Sequence, residues 1–372
     1  MKPPASSFDL ARELGDRRLV ICLGPGGVGK TTLSAAIAIG DALGGRAVDV
    51  MTVDPAPRLL DALALDASDA EPQPVALDGL GARRGARLRA LKLDPKATFD
   101  RLIERHAPSP AARDAILADR IYRNLSNAMA GVADYMAMER LLELTRDATT
   151  GRIVLDTPPA REALDFLDAP RRMLDLLDSR AVALLGVRHG AMRGPLAMLD
   201  LAARAVLSAF DRLTGLHLLG DVQSFVRNFG GMYAGFAARA AEAQALIRDP
   251  RSFIVLVTTP EAERVTQARE FSAALGALGL AVGAIAINRL MPAPPDPAAL
   301  ASAAITPALK RKLARNLEDY AALRAREAGA IAALRAVMPA DVPLIAAPDL
   351  GHEPRTLADL AAIARSLHAV EN

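Results

Sequence analysis

The sequence predicts an α/β fold, with a mostly parallel central sheet flanked by helices and a large helical insertion subdomain. Three observations carry that expectation. Short apolar runs of strand length alternate with Ala- and Leu-rich helical stretches through the first hundred residues, the pattern of parallel strands joined by crossover helices. Helical periodicity then dominates residues 95–150 and 163–248, interrupting the alternation before strand-like runs resume. Aromatic residues make up only 3% of the 372-residue chain while 51% is apolar, a mixture that favours helices over an all-β sandwich.

Taken in order, Leu19–Leu23 is a buried strand that runs into a glycine-rich loop. An Ala-rich helix over Lys30–Ala42 follows, stopped by Gly44 and Gly45. Ala47–Val53 reads as a second strand ending at Asp54, and Leu88–Leu93 as a third. Ile153–Leu155 is a short strand leading into Asp156. The sheet continues through Phe253–Val257, Val282–Ile287 and Pro343–Ala346, with a long charged helix near 306–336 and a last helix over Arg355–His368. Met291–Pro297 is a proline-rich loop. We expect residues 1–372 to form one enlarged domain in which 95–150 and 163–248 pack together as the subdomain.

Composition excludes several classes of function. A formal net charge of +2, with no basic block interleaved with aromatics, gives no footprint for nucleic acid. The single cysteine, Cys22, lies within an apolar strand and permits neither an internal disulfide nor an all-cysteine metal site. The five histidines show no metal-ligand spacing. The opening residues lack the apolar core of a secretory signal, and no apolar run is long enough to cross a bilayer. A cytoplasmic chain without stable membrane insertion is the expectation.

The chemistry starts in the loop Gly24-Pro25-Gly26-Gly27-Val28-Gly29-Lys30-Thr31, which satisfies G-x-x-x-x-G-K-[ST] between a buried strand and a helix. Its glycines let successive backbone N–H groups turn toward phosphate oxygens, and the helix start adds a positive dipole end. Lys30 is placed to neutralise β- and γ-phosphate charge, the Thr31 hydroxyl to ligate Mg²⁺, and Thr32 to sit near the α-phosphate. Asp54 and Asp156 both follow apolar strands, where ligands of open parallel sheets bind. Two carboxylates there suit a site that orients water and senses the terminal phosphate of ATP.

These motifs together resemble the ArsA/Get-type ATPases, the arsenical-pump and tail-anchored-protein-targeting branch of the P-loop NTPases. GPGGVGKTT is similar to the family loop GKGGVGKTT, TVDPAPRLLDAL to its first switch, and LDTPPAREALDFL to its second. VTTPEAERVTQARE with AINRL resembles the segment bearing the adenine-contacting asparagine, and VPLIAAPDLG the loop closing over the base. VADYMAMERLLEL and ALDFLDAPRRMLDLLD are similar to a bacterial subgroup of ArsA-like ATPases. The resemblance implies ATP and ADP as ligands with Mg²⁺, Asp54 as the base that positions water, Asp156 in the Mg²⁺ shell through water, and Asn288 on the adenine. It also implies a homodimer, or a heterodimer with a paralogous ATPase, and a hydrophobic helix as client.

The departures are as informative. The family's second loop residue is a lysine that reaches across the dimer; here it is Pro25, which carries no charge. Arg58 and Arg161, one in each switch, are the candidate replacements, while Pro57 and Glu162 stand where the family has histidines. Slow hydrolysis, or a non-hydrolysing subunit of a heteromer, is one consequence. A Min/Par-type positioning ATPase is a further alternative, disfavoured by the long insertions. Arsenite-binding cysteines and a Cys-x-x-Cys clamp are absent from the sequence. Seven of the eleven methionines lie between Met129 and Met232, and Val222, Phe225, Val226, Phe229, Tyr233 and Phe236 form a helical stripe, read either as core or as a groove for an apolar client.

Overall fold

The computed structural model describes residues 13–54, 56, 58–66, 70–120, 122–123, 130–178, 230–294, 298 and 304–369. The chain forms two compact units, one of Met1–Lys92, Ala148–Ala163 and Pro250–Asn372, the other of Leu93–Asp147 and Leu164–Asp249.

The first unit is built on a nine-stranded sheet. Its strands are β1 (Leu19–Leu23), β2 (Ala47–Thr52), β3 (Gln73–Pro74), β4 (Arg87–Lys92), β5 (Arg152–Asp156), β6 (Ser252–Thr258), β7 (Ala284–Leu290), β8 (Leu344–Pro348) and β9 (His368–Ala369). They lie in the order β3-β4-β2-β5-β1-β6-β7-β8-β9. All neighbours pair in parallel except β3 with β4 and β8 with β9 at the two edges. The five central residues of β1 are all buried, as a strand covered on both faces requires.

Helix α1 (Lys30–Leu43) packs its alanine-rich body on this sheet, with Leu33, Ile37 and Ile39 in one cluster with Val20, Val50 and Val154. The same cluster takes Leu360 and Ile363, from the last helix of the unit. That helix spans Leu357–Ser366, shorter than the Arg355–His368 expected. Thr356 and Asp359 form a reciprocal capping box that fixes its start, and His368–Ala369 leave it to pair with Ile345 and Ala346. Neither edge strand of two residues was visible as periodicity. The long charged helix is real: Thr306 caps a 31-residue segment, Pro307–Val337, about 46 Å long. A buried ion pair of Arg152 and Asp41, at 2.7 Å, anchors the segment before β1, because Arg152 also donates to the carbonyls of Leu14, Gly15 and Arg17.

The second unit is helical. Helices Pro95–His106, Pro110–Ala118, Ala130–Arg146 and Tyr233–Arg248 lie within it, together with most of Ala160–Asp178. Its core is an aromatic group of Phe99, Tyr122, Tyr135 and Phe236, joined by Met136 and Met232. The Tyr135 hydroxyl and the Arg239 guanidinium both donate to Glu139, at 2.6 and 3.0 Å. Of the two readings of the methionine-rich stretch, core or groove, the described positions agree with core: Met136, Met138 and Met232 are buried and Met173 is half-buried against the same cluster. In the stripe, Phe236 packs in the core and the Tyr233 hydroxyl donates to Leu177 O; Val222, Phe225, Val226 and Phe229 lie outside the described residues, as do Met129, Met192 and Met198.

Candidate nucleotide site

The site is assembled where β1 ends and α1 begins. Gly24 has φ +153°, and a Cβ there would stand 2.2 Å from the carbonyl oxygen of Val257 in β6, so the chain passes this point only without a side chain. Gly29 caps α1 with φ +88°, and a Cβ there would meet the amide nitrogen of Asn288 at 2.2 Å. Between them the loop curls around Lys30, whose Nζ donates to the carbonyls of Gly24 and Pro25, each at 3.1 Å. Burial lowers the pKa of this ammonium, while Asp156 and Asp54 pull it back up. The Pro25 ring is itself buried.

Asp156, the last residue of β5, is fully buried. Its Oδ2 accepts from the Thr31 hydroxyl at 2.8 Å and from the Thr52 hydroxyl at 2.9 Å. Its Oδ1 has no hydrogen-bond partner among the described residues. Burial raises its pKa to about 6, with the two threonine bonds and Lys30 acting in the opposite direction. Register explains the meeting: Thr52 pairs with Asp156 across β2 and β5, and Cys22 pairs with Asp156 across β1. Asp54, just beyond β2, accepts the Ala56 N–H on Oδ1 at 2.9 Å and donates its own N–H to Thr52 Oγ1. Cys22 is inert beneath the loop, its thiol pushed up to about 12 by burial.

A cleft of about 1120 Å³ opens above these groups. Gly26, Gly27, Gly29, Lys30, Thr31, Thr32, Asp54 and Asn288 line it, so most of the residues singled out from sequence share one wall. Gly24 and Val28 shape the loop without lining the cleft, and Asp156 reaches it through Thr31. Asn288 is buried, and its amide nitrogen donates to Val28 O at 2.8 Å. Arg161 lies in the first turn of the helix Ala160–Asp178, with its side chain outside the described part.

Arg58, a candidate from the first switch, also lines the cleft, whereas the remaining lining groups were not anticipated as individual residues. Thr52 is one partner the sequence did hint at, a lone hydroxyl at the end of an apolar strand. Arg289 adopts φ +60° at a register shift between β7 and β8, a bulge that no single-residue pattern discloses. The segment Pro348–Arg355 closes one side of the cleft, and within it Arg355 pairs with Glu353 at 2.5 Å.

The residues fit a nucleotide with Mg²⁺. The cradle at Gly24 and Gly29 has no room for a Cβ, and the orphaned, buried Asp156 Oδ1 beside Thr31 is the kind of acceptor that a metal-bound water satisfies. A parallel sheet whose first strand, glycine loop and helix enclose a buried lysine, with a strand-end carboxylate bonded to the loop threonine, defines a P-loop NTPase.

Comparison with known proteins narrows that class. The chain belongs to the anion-transporting (ArsA) ATPase family, whose sequence model matches residues 17–320. It is 29% identical over 151 residues to ATPase GET3 of Malassezia globosa, covering 41% of this chain and 42% of that protein. It is 30% identical over 147 residues to ATPase GET3A of Arabidopsis thaliana, covering 40% and 36%. The matched region thus spans less than half the length of these relatives. A match of wider extent, 26% identity over 351 residues, covers 93% of this chain and 75% of the uncharacterized protein SCO2128 of Streptomyces coelicolor.

Proposed function

We propose that the chain binds ATP in this cleft and hydrolyses it to ADP and phosphate, acting in the cytoplasm as a dimeric switch for apolar segments of membrane proteins. The observation that carries the reading is the buried Asp156 joined to Thr31 and Thr52, directly beside Lys30 and below a cleft that also holds Asp54. Lys30 leaves its two loop carbonyls to neutralise the β- and γ-phosphates. Thr31 and Asp156 would hold Mg²⁺, the latter through water; when bound, the ion neutralises phosphate charge. Asp54 orients a water for addition to the γ-phosphorus as the bond to the β-phosphate oxygen breaks. ADP leaves with that electron pair, and the water proton passes to Asp54. One N–H of the Asn288 amide is held by Val28 O, which fixes the group so that its carbonyl oxygen can accept from the adenine amino nitrogen.

At Pro25 a buried ring replaces the cation the family carries, so turnover by the isolated chain is slow unless another cation of the same chain serves the γ-phosphate. The same observation favours a second reading, a weakly or non-hydrolysing subunit paired with a paralogue. Among the described residues no helix is long and apolar enough to cross a membrane. Phosphate release by the purified chain and by Asp54→Asn tests the catalytic part: the variant is expected to keep ATP and lose turnover. Equal rates for the two proteins would remove Asp54 from the reaction, and no release by either, with ATP bound, would select the second reading.

A further inference from the structure

The order of the sheet gives the cleft a direction. β2 and β5 lie on one side of β1, while β6, β7 and β8 lie on the other. Asp54, Arg58 and Asp156 therefore stand at one end, and Asn288, Arg289 and Pro348–Arg355 at the other, with the glycine loop between them. A nucleotide lying across that loop with its base at Asn288 extends its terminal phosphate toward the β2 end.

Among the described residues, four lysine or arginine side chains line the cleft: Lys30, Arg58, Arg289 and Arg355. Lys30 sits within the loop, Arg355 is paired with Glu353, and Arg289 is at the base end. Arg58 differs from all three. It opens the short helix Arg58–Ala62, whose Arg58, Asp61 and Ala62 share one face and all reach the cleft wall. It is exposed and makes no hydrogen bond or ion pair with another described residue.

We propose that Arg58 is a catalytic residue that grips the γ-phosphate, supplying within one chain the positive charge that Pro25 cannot. The inference rests on the ATPase reading of the cleft. A guanidinium is permanently charged and presents two parallel N–H groups that match two phosphate oxygens. It takes no proton; it offsets the charge on the γ-phosphoryl oxygens while Asp54 receives the proton from water. Arg58 thus distinguishes ATP from ADP, since only ATP has the group it grips. An arginine that merely solvates the surface would be indifferent to the γ-phosphate.

The test is binding of fluorescent ATP and ADP to the full chain, with turnover measured alongside, for the wild type, Arg58→Ala, Arg58→Lys and Lys30→Ala. Arg58→Ala is expected to keep its ADP affinity and lose about tenfold or more for ATP. Turnover should fall by about 10³-fold, the lower range for an arginine acting on a transferring phosphoryl group. Arg58→Lys should restore ATP affinity in part and turnover poorly. An unchanged ratio of ATP to ADP affinity in Arg58→Ala would overturn the proposal even if turnover fell. Loss of both nucleotides in Lys30→Ala, with that unchanged ratio, leaves the cleft reading intact and removes Arg58 alone. Failure of the wild type to bind either nucleotide removes both. Arg58→Gln, with its melting curve, serves if the alanine variant does not fold.

Discussion

Gly29→Ala probes the joint between the phosphate loop and the residue expected to read the base. The substitution has two separable costs. A non-glycine residue at φ +88° costs about 1–2 kcal/mol for left-handed backbone. The new Cβ also stands 2.2 Å from Asn288 Nδ2, so the amide must swing away and surrender its bond to Val28 O. That loss adds about 0.5–1.5 kcal/mol, for a total of roughly 1.5–3.5 kcal/mol. In an Asn288→Ala background the second cost has already been incurred, and Gly29→Ala should cost only the backbone term. Equilibrium urea denaturation of the four proteins of this cycle measures the coupling, expected at about 0.5–1.5 kcal/mol. An identical cost of Gly29→Ala in both backgrounds would refute the idea that Asn288 is seated by the loop.

Asp156 gives a pH dependence of defined sign. Its folded pKa, raised to about 6, lies above the unfolded value, so the native state holds the proton more tightly between the two. The contribution of this group is fully present below the unfolded pKa and is lost as pH rises through about 6, at a cost of about 3 kcal/mol in the metal-free protein. Urea denaturation at about pH 5 and pH 7.5 spans roughly half of that loss, about 1.4 kcal/mol, which should appear in the wild type and not in Asp156→Asn. On the long helix, Tyr320, Arg324 and Glu327 clasp the chain just after β7, with Glu327 accepting the Met291 N–H and Tyr320 donating to Pro292 O at 2.6 Å. Glu327→Ala should therefore weaken ATP binding severalfold without weakening pyrophosphate, as calorimetry of the two ligands would reveal. Light scattering of the chain with a non-hydrolysable ATP analogue should report a dimer; a monomer at micromolar concentration would point to a paralogous partner.

The elements that position the site were legible because their signals are local. β1, the glycine loop and α1 are contiguous, and Gly24 and Gly29 of the loop are required by contacts that any side chain would break. Asp54 and Asp156 were legible for a related reason: each ends an apolar run, and parallel register then brings Thr52 beside Asp156. What sequence could not show is set by distant pairing. The two-residue strands Gln73–Pro74 and His368–Ala369 exist only because β4 and β8 offer edges. The bulge that turns Arg289 to φ +60° follows from how β7 meets β8, not from the residues AINRL. The methionines read differently again. Periodicity placed them on helices, but only packing against Phe99, Tyr122 and Phe236 shows Met136 and Met232 facing a core.

The central claim is that the Lys30 cradle is a site for the phosphates of ATP. Calorimetric titration of the wild type and Lys30→Ala with Mg²⁺ and ATP measures it directly. The expected result is saturable binding at one site per chain in the wild type, falling by about a hundredfold or more when the buried ammonium is removed. Equal affinity in the two proteins would contradict the account, because it would place the nucleotide somewhere other than the loop that Lys30 fills.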